Sequence, residues 1–140
     1  MSRSGYSDDG DDSDYPLALW RGAVESAIRG KRGQAFLKEM LAAMDALPQK
    51  RLIAHELVAN GEACAIGTVG LARGIDMSKL DPDAYGQIAK VFGISAALVR
   101  EIEYENDDDD NWRDTTAVTP EVRFERVRKW VQSQIKRDAQ

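Results

Sequence analysis

Apolar residues recur three and four positions apart along most of this chain, the spacing of helices that bury one face. From Pro16 onward, Leu17, Trp20, Val24, Ala27 and Ile28 share a face, and Glu25 pairs with Arg29 on the other. Gly30-Lys31-Arg32-Gly33 interrupts the pattern, which resumes from about Gln34 to Ala46 with Leu37, Met40, Leu41 and Met44 inward. Two helices with so short a joint predict an αα-hairpin, closed at its far end by Pro48. Lone methionines at these positions read as core filler.

The pattern is strongest over residues 81–106, DPDAYGQIAKVFGISAALVREIEYEN. Asp81 is placed to cap a helix and Pro82 suits its first turn. Ala84, Ile88, Val91 and Phe92 follow at helical spacing, and Gly93 supplies the positive φ that ends a helix abruptly. Ser95 caps a second helix carrying Leu98, Val99 and Ile102. The spacing of Ala89, Gly93, Val99 and Ile102 resembles the helix-turn-helix family. That resemblance implies that the second helix lies in a DNA major groove. Thr119-Pro120 opens a last helix, 120–137, with Phe124, Val127, Trp130, Val131 and Ile135 as its stripe. Its outer face carries Arg126, Lys129, Lys136 and Arg137, with Arg123 and Arg128 beside the stripe, so it is the most basic helix in the chain.

Between these units the pattern is ambiguous. Residues 52–66 fit a short β-hairpin turning at Asn60-Gly61. A helix from about Lys50 to Ala59, capped by the same dipeptide, fits equally well. The alanine content tips the reading toward the helix. Residues 67–74 predict a short glycine-rich helix. His55 reads as a partly buried histidine rather than a proton shuttle, and Cys64 as a small core residue rather than a nucleophile. The fold class expected is mainly α: a compact helical domain over 16–137, behind a disordered acidic tail over 1–15. The domain contains a helix-turn-helix-like unit at 81–106 and an acidic loop at 107–118.

Charge changes the picture more than length does. The formal net charge is -5, whereas a protein that binds duplex through phosphates usually carries a basic excess. Acid is concentrated at Asp8, Asp9, Asp11, Asp12 and Asp14, and again at Glu101, Glu103, Glu105 and Asp107–Asp110. Carboxylates at a helix C-terminus oppose the macrodipole, so the second helix of the bent pair should fray near Asn106. A single cysteine and a single histidine exclude an internal disulfide and a multi-cysteine or histidine-rich metal site. No metal and no cofactor is expected, and a Ser-His-Asp or Cys-His arrangement has few ways to form. GKRG lacks the spacing of a phosphate loop. No apolar run approaches the length of a membrane span, and the N-terminus lacks a signal-peptide core. A reduced, soluble protein of the cytoplasm is therefore expected.

The start SRSGYSDD, the segment LWRGAVESAIRGKRGQAFLKEML, and FGI followed by YEND resemble a family of small uncharacterised phage and prophage proteins. The resemblance covers most of the chain and implies the cytoplasm of a host cell, but no established activity. The lead expectation is a non-enzymatic protein-binding module that inhibits a host nucleic-acid-handling complex, as some anti-CRISPR proteins do. Glu101, Glu103, Glu105, Asp107, Asp108, Asp109 and Asp110 would mimic a phosphate backbone against a basic host surface. The alternative is a helix-turn-helix regulator. It would read DNA with Ser95, Ala96, Ala97, Arg100 and Tyr104, and hold phosphates with Arg123, Arg126 and Lys129.

Overall fold

The computed structural model describes residues 14–108 and 118–136, so the expectations for the acidic tail and for 109–117 lie almost wholly outside the described residues. Among the described residues, six helices and one two-stranded hairpin follow in order: α1 (Asp14–Arg29), α2 (Lys31–Asp45), β1 (Val58–Ala59), β2 (Glu62–Ala63), α3 (Ala65–Arg73), α4 (Tyr85–Phe92), α5 (Ala96–Asp107) and α6 (Pro120–Gln134). The chain is mainly α, as its periodicity predicts. The first helix begins at Asp14 rather than Pro16.

The predicted stripes meet in one core. Val24 and Ile28 of α1, Leu37, Met40 and Met44 of α2, and Phe124, Val127 and Val131 of α6 join Leu98, Val99 and Ile102 of α5. Gly30 alone links α1 to α2. The caps follow from short-range chemistry. Ser95 Oγ accepts from the Leu98 N–H at 3.1 Å, and Thr119 Oγ1 from Val122 N–H at 3.1 Å. Gly93 takes φ 75° and ends α4, as expected.

Asp81 does not cap that helix. Its carboxylate accepts from Asp83 N–H at 2.9 Å and its carbonyl from Ala84 N–H at 3.0 Å, making a local turn before α4 begins at Tyr85. Buried Cys64 also does more than fill space. It is the N-cap of α3, its Sγ accepting from Gly67 N–H at 3.4 Å.

The helix preferred for residues 50–59 does not form; the hairpin does, in miniature. Val58 pairs with Ala63 and Ala59 with Glu62 around Asn60 (φ 54°) and Gly61 (φ 80°), both in the left-handed region that a type I′ turn requires. Residues 52–57 find their hydrogen bonds at long range. Leu52 N–H donates to Pro120 O at 3.1 Å and Ile53 N–H to Ala63 O at 3.0 Å, while Leu57 O accepts from Cys64 N–H at 3.0 Å. A helix here would give up all three. The segment is thereby tied to β2, to α3 and to the start of α6.

Candidate interaction surface

α5 is the helix on which the others converge, since α1, α3, α4 and α6 all pack against it. That packing decides the fate of the acidic belt. Glu101 is 3 % exposed, Glu103 0 % and Asp107 3 %, so these three carboxylates belong to the interior and not to an outward acidic face. Burying a carboxylate is costly unless charge or hydrogen bonds compensate it, and for Glu101 and Asp107 distant parts of the chain contribute partners. Arg21 of α1 donates to Glu101 Oε1 at 2.9 Å. Asp107 Oδ1 accepts from His55 N–H at 3.1 Å and from Asn106 Nδ2 at 2.8 Å. Asp108 is half-buried just past the helix end, and Asp109 and Asp110 lie outside the described residues.

Nor does the helix end fray. Asn106, fully buried, accepts from Ala65 N–H at 3.0 Å through Oδ1 and donates to Ile53 O at 2.9 Å through Nδ2. Its own carbonyl accepts from Arg126 Nη2 at 2.9 Å. One side chain thus holds the start of α3, the 52–57 segment and the neighbouring Asp107 together. Its place on the helix carries the signal: Val99, Glu103 and Asn106 sit at i, i+4 and i+7 and continue one buried face.

His55, expected to be partly buried, is exposed with a φ of 71°, and its backbone amide rather than its ring holds Asp107. The ring Nδ1 lies 3.7 Å from Asp107 Oδ2, too far for a hydrogen bond. Among the described residues no cluster of His, Cys, Asp and Glu side chains is arranged to hold a metal ion.

The residues assigned to phosphates divide in the same way. Arg123 is buried, donating to Leu52 O at 2.9 Å, and Arg126 is held by the Asn106 carbonyl; neither is an outward phosphate contact. Lys129 is exposed on α6. Ser95, Ala96, Ala97, Arg100 and Tyr104 do mark the side of α5 that reaches the surface, with Ala96 exposed and the others half-buried. α1 and α4 each contribute an aromatic ring to it. The Arg100 guanidinium lies 4.4 Å from the Trp20 ring centroid and 5.1 Å from that of Tyr85, within range of cation–π attraction to both. Trp20 and Tyr85 were not predicted there. The signal available was an aromatic residue at the edge, rather than the centre, of each apolar stripe.

Glu105 faces the acidic side of this arrangement. Burial first, and then the charge of Glu101, push its carboxyl from the ordinary 4.5 up to about 7, against the pull of Arg126 and Arg21. Because the folded-state value is raised, the unfolded chain ionises first. Stability from this group is therefore full below about pH 4.5 and is lost as pH rises through about 7. Glu105→Gln is expected to stabilise the protein by about 1–2 kcal/mol at pH 8, after discounting for partial exposure, and by little at pH 4.5. Thermal unfolding of both proteins at the two pH values checks it.

No protein-family model, curated protein or solved structure matches this chain.

Proposed function

We propose that the chain is a non-enzymatic, phage-type protein-binding module that meets its partner through the open side of α5. The observation that carries this reading is the Arg100 guanidinium held between Trp20 and Tyr85, beside Ala96, Ala97 and Tyr104. Tryptophan, tyrosine and arginine dominate binding hot spots, because they bring large contact area with few rotatable bonds. Here the arginine is pre-organised by the two rings, so less conformational freedom is lost on binding. A protein of a host nucleic-acid-handling complex is the partner class we propose. Mimicry of a phosphate strand by α5 itself is not part of this reading, since Glu101, Glu103 and Asp107 face inward.

Affinity purification from the host, with mass spectrometry, tests the proposal. A partner recovered with wild type is expected to be lost with Trp20→Ala/Arg100→Ala, by about 2–4 kcal/mol of binding free energy. Recovery unchanged by that double substitution rejects the surface. A regulator would instead shift duplex DNA at low salt, with Arg100→Ala abolishing the shift. We place it second because α1 and α4 flank the helix that would have to enter the groove.

A further inference from the structure

The corner where α1 ends, α2 begins and α6 runs out is positively charged. Arg29, Lys31, Arg32 and Lys136 are all exposed there. The corner is braced. Lys136 Nζ donates to Arg29 O at 2.8 Å, and Lys136 N–H donates to Gln34 Oε1 at 2.8 Å. Gln34 Nε2 in turn donates to Ile28 O at 2.7 Å and to Gln134 O at 3.0 Å.

Two clefts flank the turn, one of about 250 Å³ beside Lys31, Arg32 and Ser95, and one of about 330 Å³ beside Arg29 and Lys136. Among the residues lining them, Glu25 is the one carboxylate, and it is paired with Arg29 at 3.0 Å. The first turn of α2 contains no acidic residue, so the positive sign here comes from the four side chains and the α2 N-terminus, against the negative dipole ends of α1 and α6.

The complement to this corner is written in the chain itself. Asp8, Asp9, Asp11, Asp12 and Asp14 place five carboxylates within seven residues. Reach decides whether a molecule's own segment can use the corner. α1 has 16 residues, so it is about 24 Å long, and the corner lies at its C-terminal end. Asp8 is six residues from the start of that helix, at most about 21 Å of fully extended chain, and Asp12 is two residues away, about 7 Å. Within one molecule only Asp8 and Asp9 come near the corner, and only with the segment fully extended back along α1, whereas Asp11, Asp12 and Asp14 fall short; the corner of a neighbouring molecule carries no such limit. The geometry points to a second copy: the Asp8–Asp14 segment of one molecule docks on the Arg29, Lys31, Arg32 and Lys136 corner of the next.

Such a contact joins two different surfaces, so every molecule offers both halves and association runs head to tail. Its charged residues are distinct from those of the Arg100 patch. Individual exposed ion pairs are weak, so the contact depends on several charges acting together and on low salt.

Sedimentation equilibrium of the full chain is expected to show mass rising with concentration at about 20 mM salt and collapsing to monomer at about 500 mM. Lys31→Glu/Arg32→Glu should weaken association at least tenfold, and so should the tail variant Asp8→Asn/Asp9→Asn/Asp11→Asn/Asp12→Asn. An equimolar mixture of these two variants should form a one-to-one complex and nothing larger, because each retains the half that the other lacks. All the altered side chains in the corner are exposed, so melting curves should superimpose; if the charge reversal lowers the melting point, Lys31→Gln/Arg32→Gln replaces it. Wild type that stays monomeric at low salt, a tail variant that associates like wild type, or a mixture that does not pair would each overturn the proposal. A duplex shift at about 50 mM salt, abolished by Lys31→Glu/Arg32→Glu and strengthened by the tail variant, would reassign the corner to nucleic-acid phosphates and equally overturn it.

Discussion

Asn106→Ala is expected to cost about 3–5 kcal/mol, a large part of the roughly 5–15 kcal/mol that holds a domain of this kind folded. The effect comes from what is left behind. The amide of Ala65 and the carbonyl of Ile53 each lose their bond to Asn106, and Asp107 loses one of its donors. A buried polar group without a partner costs about 1–3 kcal/mol, more than a hydrogen bond contributes when made. The cavity left by the amide is small, so these groups cannot all find water. The three losses also meet at one joint, so they should open the hairpin and the α3 start together. A melting temperature lower by roughly 10–20 °C is the expected reading.

Gly67→Ala is expected to cost about 3 kcal/mol or more, for a steric reason at the same joint. A Cβ added at Gly67 would sit 2.0 Å from Leu57 O and 3.0 Å from both Leu57 C and the Ala63 side chain. Backbone cannot swing aside as a side-chain tip can, and Leu57 O is fixed by Cys64 N–H at 3.0 Å. Relief requires α3 to withdraw from the 52–57 segment, which also pulls on Cys64 Sγ at the helix cap. Gly22→Ala on α1 is the control of opposite sign, since nothing lies within 4 Å of its added Cβ. It should stabilise by about 0.5–1 kcal/mol through helix propensity alone. Chemical denaturation of the two variants beside wild type separates the steric effect from the propensity effect.

The parts of this fold that could be read from the sequence are those fixed by near neighbours. Ser95 and Thr119 cap helices through amides three residues away, and the stripes of α1, α2, α4 and α6 need only their own periodicity. The parts that could not be read are fixed by distant ones. Residues 52–57 take their geometry from Ala63, Asn106, Pro120 and Arg123, and no local pattern carries that information.

Charge misled for the same reason. A run of carboxylates looks solvated until Arg21, 80 residues from Glu101, and the His55 amide, 52 residues from Asp107, are seen to come up against it. Arg123, placed beside the stripe of the last helix, turns inward to a backbone carbonyl for a related reason: the 52–57 segment leaves that carbonyl without a strand or helix partner. Of the candidate site, the open side of α5 was legible in Ala96, Ala97, Arg100 and Tyr104. The rings of Trp20 and Tyr85 were not, because they arrive from separate helices.

The C-terminal turn of α5 belongs to the architecture, and the contact proposed for a partner lies instead on the Arg100 side of the helix. Urea unfolding of Asn106→Ala, run beside wild type and the exposed-site control Asp83→Ala, tests that division most directly. A loss of at least about 3 kcal/mol for Asn106→Ala, with the control within about 0.5 kcal/mol of wild type, is the predicted result. An Asn106→Ala protein as stable as the control would contradict it, because the helix end would then be a surface and not an anchor.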